Sequence, residues 1–148
     1  MTNHDKISIL LVGQNIENQI VFNNALKSLN RSHSTQCFFE MEKAMVYLSA
    51  ENTSKPNLIF LEAGKKQDCI DDVSGIRNAS SLNSVSIALF GNASNDLGAE
   101  EAFASGVNIY IHKKYDFVGL KRVLKHIIGT DCQFQSCPAN RKTYMLSI

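Results

Sequence analysis

The residues of this chain that could carry out chemistry are few, and several lie directly after short apolar segments. Glu62 follows the apolar run at residues 58–61, and His112 and Lys113 follow the run at 107–111. A carboxylate can attack a phosphoryl group or bind a cation, and a lysine can neutralise anionic oxygens. No Ser or Cys nucleophile with an orienting acid is placed to complete a catalytic triad with His112, so we favour a structural role for it.

Other groups allow simpler interpretations. Asp68, Asp71 and Asp72 could form a second acidic site, but we favour the start of a helix, where acidic residues complement the helix dipole. The four cysteines are scattered without a Cys-x-x-Cys pair, so we expect free thiols rather than a metal site or disulfides.

The segments that must position these residues alternate along the chain. Short apolar runs predict five strands, at residues 7–12, 35–39, 58–61, 85–90 and 107–111. Amphipathic stretches between them predict helices. Asn15 offers an N-cap for the first helix, with Ile16, Ile20, Leu26 and Leu29 facing inward.

The remaining helices are predicted from the same periodicity. Residues 41–48 and about 70–80 suit the second and third helices, and a cap at Ser94 or Asn95 starts a fourth that runs through Phe103 to Gly106. A fifth begins after Asp116, ends at Gly129 and carries one apolar stripe. That stripe comprises Leu120, Val123, Leu124 and Ile127.

This alternation predicts the fold class. Five strands and five helices in turn indicate an α/β protein with a flavodoxin-like, doubly wound five-stranded parallel sheet. In such sheets the site lies beyond the carboxyl ends of the strands, at the topological switch point. That rule selects three loops, at residues 13–15, 62–66 and 90–93.

Three blocks around these loops resemble a known family. Residues 56–62 (Pro-Asn-Leu-Ile-Phe-Leu-Glu) are similar to the strand that ends in the phosphoacceptor aspartate of bacterial response-regulator receiver domains. Residues 87–91 (Ile-Ala-Leu-Phe-Gly) resemble the strand that ends in Thr or Ser followed by Ala. Residues 106–113 (Gly-Val-Asn-Ile-Tyr-Ile-His-Lys) are similar to the Gly-Ala-x-x-Tyr-x-x-Lys block. The resemblance extends from about Lys6 to Gly129.

The resemblance implies a phosphorylation pocket that has lost most of its groups. The family's acidic pair, which holds Mg²⁺ with the aspartate, falls on Gly13 and Gln14, and the acceptor position is Glu62. The hydroxyl position is Phe90, followed by Gly91, and neither has a side chain that donates or accepts a hydrogen bond. With Lys113 alone retained, we expect no cofactor and weak or absent Mg²⁺ binding.

Two hypotheses concern the state of this pocket. Glu62 either forms an ion pair with Lys113 in place of the metal and phosphate, worth about 0–1 kcal/mol if partly exposed, or points to solvent. Tyr110 matches the family's switch aromatic, and we expect Phe90 and Tyr110 to compete for one volume and to lock the switch. The alternative is that Tyr110 is an ordinary strand aromatic.

Composition limits the partners. The chain has fifteen basic and fourteen acidic residues and a net charge of +1, so we expect no nucleic-acid binding despite the basic stretch near the last helix. No apolar run is long enough to cross a membrane, and the N-terminus lacks the layout of a signal peptide, which predicts a cytoplasmic protein.

We therefore expect residues 1–129 to form a receiver-like domain and residues 130–148 a C-terminal extension without an output domain of its own. This extension either packs back on the sheet edge or serves as a peptide-like contact. The predicted function is a stand-alone, non-enzymatic signalling module of two-component phosphorelay systems. It would bind a protein such as a sensor kinase, or form a homodimer, through residues near 99–104, Tyr110 and 120–125. Alternatives are a phosphoacceptor or metal-dependent enzyme with a non-standard carboxylate, and a small-molecule binder at the switch-point crevice.

Overall fold

The structure, a computed structural model, describes residues 7–29, 32–50, 55–62, 66–79, 82, 85–90, 99–112, 117–129 and 144–147. Strands and helices alternate as the sequence predicts. In chain order the elements are β1 (Ile7–Val12), α1 (Ile16–Lys27), β2 (His33–Phe38), α2 (Met41–Ser49), β3 (Leu58–Glu62), α3 (Lys66–Asn78), β4 (Ser86–Phe90), α4 (Ala99–Ser105), β5 (Ile109–His112), α5 (Phe117–Gly129) and β6 (Tyr144–Ser147).

All strand pairs in the sheet are parallel, in the order β2-β1-β3-β4-β5-β6. The chain moves from β1 outward to β2 and then returns past β1 to β3, which puts the topological switch between β1 and β3. The predicted doubly wound five-stranded sheet with five helices is confirmed. The structure adds a strand that the sequence did not predict, because β6 extends the sheet beyond β5.

Helices cover both faces of the sheet. Side chains of α2, α3 and α4 pack on one face, where Leu48 and Val73 meet strand residues such as Ile59. Side chains of α1 and α5 pack on the other face, where Phe22 and Leu124 are fully buried. The central strands are buried on both faces, which explains why the sequence of β3 is continuously apolar up to Glu62.

The inward face of α1 differs from the prediction. Ile16 and Ile20 were expected to face inward, but they are 58% and 53% exposed. The prediction is correct for Leu26, which is buried with Gln19, Phe22 and Ala25, and for Leu29, which is partly buried against the same core. It is wrong for the first half of the helix, because a polar residue, Gln19, takes the inward position there. The predicted Asn15 cap is confirmed, since its side-chain oxygen accepts from the Asn18 N–H at 3.0 Å.

The other helices follow the prediction with shifted ends. Helix α3 begins at Lys66, four residues earlier than predicted, and therefore contains the whole aspartate group. The α5 stripe is confirmed, since its four apolar residues are at most 4% exposed. The predicted caps at residues 94, 95 and 116 lie outside the described residues. Within the described chain, none of the helices has the length and apolar character needed to span a membrane.

Arg77 joins three elements at the amino end of the sheet. Its guanidinium donates to the Gly106 carbonyl at 2.7 Å, to the Val85 carbonyl at 2.7 Å and to Asn108 Oδ1 at 2.6 Å. Asn108 Oδ1 also accepts from the Ile87 N–H at 2.9 Å. Gly106 ends α4 with a φ of +124°, a conformation that favours glycine, and Arg77 packs against it. We call this group the Arg77 bracket.

Candidate functional site

Parallel strands bring the predicted site residues to one edge of the sheet. Gly13 directly follows β1, and Glu62 and Phe90 are the last residues of β3 and β4. The register pairs Glu62 with Phe90, so these two residues are neighbours on the same face. Gly13 is buried and Gln14 is exposed beside them. The structure thus brings together four of the residues that the sequence selected.

Glu62 is held by the start of α1. One carboxylate oxygen, Oε2, accepts from Asn18 Nδ2 at 2.5 Å, and the other, Oε1, accepts from the Asn15 N–H at 3.3 Å. Asn15 is the N-cap of α1, where the helix dipole favours a negative charge. Among the described residues, the half-buried carboxylate therefore has a neutral amide donor on each oxygen.

Gly13 makes room for the Glu62 side chain. A Cβ atom at position 13 would lie 3.0 Å from Glu62 Cβ and even closer to Glu62 Oε1, which is too close for a real contact. The space above position 13 is thus filled by the longer acidic side chain of position 62. The long side chain at position 62 therefore requires a glycine at position 13.

Gln19 fixes the loop that carries Gly13. Its Nε2 donates to the Gly13 carbonyl at 2.8 Å and to the Phe38 carbonyl at 2.9 Å, and its side chain is buried. The Gly13 N–H also donates to the Phe38 carbonyl, at 3.0 Å. A buried amide with both donor hydrogens satisfied rigidifies its surroundings. The ends of β1 and β2 and the first turn of α1 thus form one unit.

Phe90 belongs to an aromatic cluster beneath Glu62. Its ring stacks on Phe22 of α1 with centroids 5.3 Å apart, and its centroid lies 6.3 Å from that of Phe60 on β3. Phe22 and Phe60 are themselves 4.5 Å apart in an edge-to-face arrangement. Phe90 is only 2% exposed. The position at which the resemblance expects a hydroxyl is therefore part of the apolar core.

Tyr110 lies on the other face of the sheet, and the predicted competition between Phe90 and Tyr110 is wrong. The register of β4 with β5 pairs Tyr110 with Leu89 and Phe90 with Ile111. Because side chains alternate along a strand, the two rings point to opposite faces and enter different core clusters. Burial, followed by the nearby Cys69, raises the pKa of the Tyr110 hydroxyl above its ordinary value.

A cleft of about 720 Å³ opens between this edge and the helices α2 and α3. Its apolar lining includes Leu61 and Leu89 from the strand ends, Phe39 from the loop before α2, and Met41 from the start of α2. Phe39 is 48% exposed, so its ring is accessible from solvent. The cleft size falls within the range of ligand sites.

Acidic residues line the same cleft. Asp68 and Asp72 of α3 contribute from one side, Glu62 contributes from the strand end, and Cys69 lies between the two aspartates in sequence. Burial raises the pKa of Asp72 above its ordinary value, and the negative charges of Asp68 and Asp71 raise it further. The interpretation of the aspartates as helical residues is correct, and two of them also face the cleft.

The groups around Glu62 do not fit a divalent cation. Mg²⁺ takes near-octahedral oxygen ligands, whereas Gly13 and Gln14 supply no carboxylate and both Glu62 oxygens accept hydrogen bonds from amides. Among the described residues no group of three or more His, Cys, Asp or Glu could hold a metal ion. Lys113 and Gly91 lie outside the described residues, so the Glu62–Lys113 ion pair stays a prediction.

Sequence reasoning did not identify Asn18, Gln19 and Phe22 as site residues. Asn18 and Gln19 follow the N-cap by three and four residues, so the first turn of α1 places them near the strand ends. That spacing could have indicated them, because the first turn of this helix follows a selected loop. Phe22 could have been found only with the correct phase of α1.

Comparisons with known proteins agree on the fold. The phosphorylated cyanobacterial phytochrome response regulator RcpA is 24% identical and covers 82% of this chain and 91% of its own, with a TM-score of 0.71. The Mn²⁺-bound response regulator Rcp1 is 22% identical over 82% and 91%, with a TM-score of 0.69. The response regulator RPA3017, in red light signaling of R. palustris, is 13% identical over 93% and 99%, with a TM-score of 0.71.

No protein-family model and no curated protein matches the chain. The similarity to solved structures thus defines one property, the fold. This chain has the flavodoxin-like α/β fold of response-regulator receiver domains, as its sequence resemblance implied.

Proposed function

We propose that this chain is a receiver-like signalling module that works by binding another protein and is not phosphorylated in the conventional way. One observation carries the proposal: the Glu62 carboxylate is bound by Asn15 and Asn18 and fills the space above Gly13. A phosphoacceptor needs a carboxylate that is free to attack and a cation that neutralises the phosphoryl oxygens. Here both carboxylate oxygens accept hydrogen bonds from amide groups, and Gly13 and Gln14 supply no further carboxylate.

The arrangement of Phe90 supports the same proposal. A receiver switch requires a hydroxyl that bonds the phosphoryl oxygen and moves its loop. Phe90 is instead packed against Phe22 and Phe60, and moving it would expose a large apolar side chain. We infer that the pocket keeps one arrangement and that the domain binds its partner through a surface that does not change conformation.

The α4–β5–α5 face is our candidate for protein contacts; because β6 covers the edge of β5 and Tyr110 is only 5% exposed, its accessible residues lie on α4 and α5. Glu100 and Glu101 at the start of α4 are exposed, as are Arg122 and Lys125 on α5. A face that carries acids on one helix and bases on another is self-complementary under two-fold symmetry, which supports a homodimer. A sensor kinase or another signalling protein remains the second kind of partner that we propose.

Phosphorylation is tested directly by mass. The protein is incubated with acetyl phosphate and Mg²⁺, and its intact mass is measured, next to the rebuilt variant Gly13→Asp/Gln14→Asp/Glu62→Asp/Phe90→Thr. We expect no added phosphoryl group on the natural chain. A stable gain of one phosphoryl mass on the natural chain, lost in Glu62→Gln, would establish the alternative phosphoacceptor role.

Protein binding is tested by affinity capture from the native cell. The natural chain and Glu62→Gln serve as matched baits, because glutamine keeps the size of the side chain and removes its charge. We expect the same partner to be captured from cells with active or inactive phosphodonor metabolism. Capture that depends on phosphodonor supply would contradict a phosphorylation-independent module.

The cleft beside Glu62 favours a second candidate function, binding of a small molecule. Its apolar lining with the exposed Phe39 suits a flat apolar group, and Asp68 and Asp72 suit a cationic group. The probe is phenethylamine, with 3-phenylpropionate as its anionic counterpart, followed by amide chemical shifts. We expect saturable binding of the amine alone, weakened in Asp72→Asn and unchanged in Asp71→Asn, whose side chain does not line the cleft. Equal responses to both probes would exclude this candidate.

A further inference from the structure

The C-terminal strand β6 covers an edge of the sheet that would otherwise be open. It pairs in parallel with β5, with Ile109 opposite Tyr144 and Ile111 opposite Leu146. Strand β5 is the last strand of the predicted five, so β6 is its neighbour on the side away from β4. The backbone groups on that side of β5 thus gain partners from a segment near the end of the chain.

Without β6, the open edge of β5 could pair with a strand from another chain. Side chains at Ile109, Tyr110 and Ile111 are at most 5% exposed, so β5 is a well-ordered, apolar strand. A row of backbone N–H and C=O groups on such a strand is a template for pairing with a further chain. The segment that satisfies it here is short, and three of its four residues are Tyr, Met and Leu.

The connection to β6 contains enough residues for the strand to reach a second copy. Fourteen residues, 130–143, separate the end of α5 from the start of β6. An extended chain of that length spans up to about 45 Å. A second copy carries the same strand with the same register to β5, so exchange between copies replaces each backbone pair by an identical one.

We propose that the side of β5 that β6 covers is a strand-accepting docking site, and that the partner it fits is the C-terminal segment of a second copy of this chain. This inference does not depend on the phosphorylation state of the pocket, so it can fail while the proposed function holds. In the single chain the tether gives the β6 segment an effective concentration in the millimolar range. Added strands must therefore compete with the chain's own β6.

The test compares binding of an added strand with and without competition from the chain's own β6, by introducing substitutions that prevent β6 from pairing with β5. Met145→Pro/Leu146→Pro removes two adjacent backbone N–H groups; because adjacent residues of a strand direct these groups to opposite sides, one of the two faces β5. The probe is a fluorescein-labelled synthetic peptide of residues 141–148, followed by fluorescence anisotropy. We expect at least tenfold tighter peptide binding to the double-proline variant than to the natural chain.

Two controls define the outcome. Gln135→Pro, in the connection, should behave like the natural chain, and a peptide with prolines at positions 145 and 146 should not bind any variant. If circular dichroism shows that the double-proline variant is unfolded, Met145→Gly/Leu146→Gly replaces it, because glycine weakens a strand but keeps its N–H groups. Equal peptide affinity for the natural and the β6-disabled chains, or binding to neither, would overturn the proposal.

Exchange between full-length copies is measured by light scattering after size-exclusion chromatography. We expect a dimer fraction in the natural chain that rises with protein concentration and that the double-proline variant lacks. Arg122→Glu disturbs the charged face of α5 instead. Loss of the dimer in Arg122→Glu but not in the double-proline variant would assign the dimer to the α4–β5–α5 face and would contradict strand exchange.

Discussion

The Glu62 side chain fills the space beside Gly13, which leads to a quantitative prediction for Gly13→Ala. The new Cβ would overlap with Glu62 Oε1, so the carboxylate must turn away from Asn15 and Asn18. Losing two hydrogen bonds at a half-exposed position costs about 1–2 kcal/mol. Because the φ angle of Gly13 lies outside the left-handed region, alanine also restricts the unfolded chain and returns about 0.4–1 kcal/mol.

The two effects separate in a double-mutant cycle with Glu62→Gly, because alanine at position 62 would keep the Cβ atom that lies 3.0 Å from the new one. In the natural chain Gly13→Ala should lower the free energy of unfolding by about 0.5–1 kcal/mol, the difference between the lost hydrogen bonds and the effect on the unfolded chain. In the Glu62→Gly chain both overlaps are gone, so the same substitution should raise the free energy of unfolding by about 0.4–1 kcal/mol. The coupling between the two positions is then about 1–2 kcal/mol, and the effect of Gly13→Ala changes sign.

The assay is urea unfolding followed by far-ultraviolet circular dichroism, with equal slopes required in all four chains. Gly75→Ala is the matched control, because a Cβ at Gly75 would meet no atom within 4 Å. It should stabilise α3 equally with and without Glu62. A coupling below about 0.5 kcal/mol between Gly13 and Glu62 would refute the reasoning, since distant sites couple by that much or less.

Four further substitutions test the site and its supports. Phe90→Ser, which introduces a hydroxyl, should lower the free energy of unfolding by about 3–5 kcal/mol because it removes one ring of the buried aromatic cluster. An unchanged urea midpoint would show that Phe90 is not packed against Phe22 and Phe60. Gln19→Leu should cost about 1–3 kcal/mol in the same assay, because the Gly13 carbonyl loses its donor. Arg77→Met should cost about 1.5–3 kcal/mol through its charged hydrogen bonds, and a loss within error would argue against the bracket. Asp72→Asn should raise the free energy of unfolding at neutral pH, because the folded-state pKa of Asp72 is raised and its ionised form is therefore disfavoured in the folded chain. This gain in stability should shrink as the pH falls through the raised pKa and vanish below the ordinary pKa of 3.8.

The sequence predicted the sheet because its strands are apolar enough to be recognised one by one. Residues 58–61 have no polar position, as expected of a central strand, and Glu62 marks the point where that strand ends. The same logic located Gly13 and Phe90 at the same edge. Strand β6 was not predicted, because a segment of four residues is too short to show the alternation of apolar and polar residues that indicates a strand.

The sequence could not give the direction of side chains across elements. Pairing Tyr110 with Phe90 by resemblance ignored the register, which sets Tyr110 beside Leu89 and separates the two rings by the thickness of the sheet. Placing Ile16 and Ile20 inward assumed that apolar residues fix the helix phase. Gln19 overrides this rule, because two buried carbonyl acceptors compensate for the burial of its amide.

The Arg77 bracket has a consequence for how this domain tolerates change. It ties α3, the start of β4 and the turn before β5 at the amino end of the sheet, whereas Glu62 and Phe90 lie at the carboxyl end. The hydrogen bonds described at the two ends have no residue in common, so the effects of substitutions there on stability should add. Changes in the chemical groups at the carboxyl end therefore leave the hydrogen bonds around Arg77 in place, and the two ends of one sheet can vary separately.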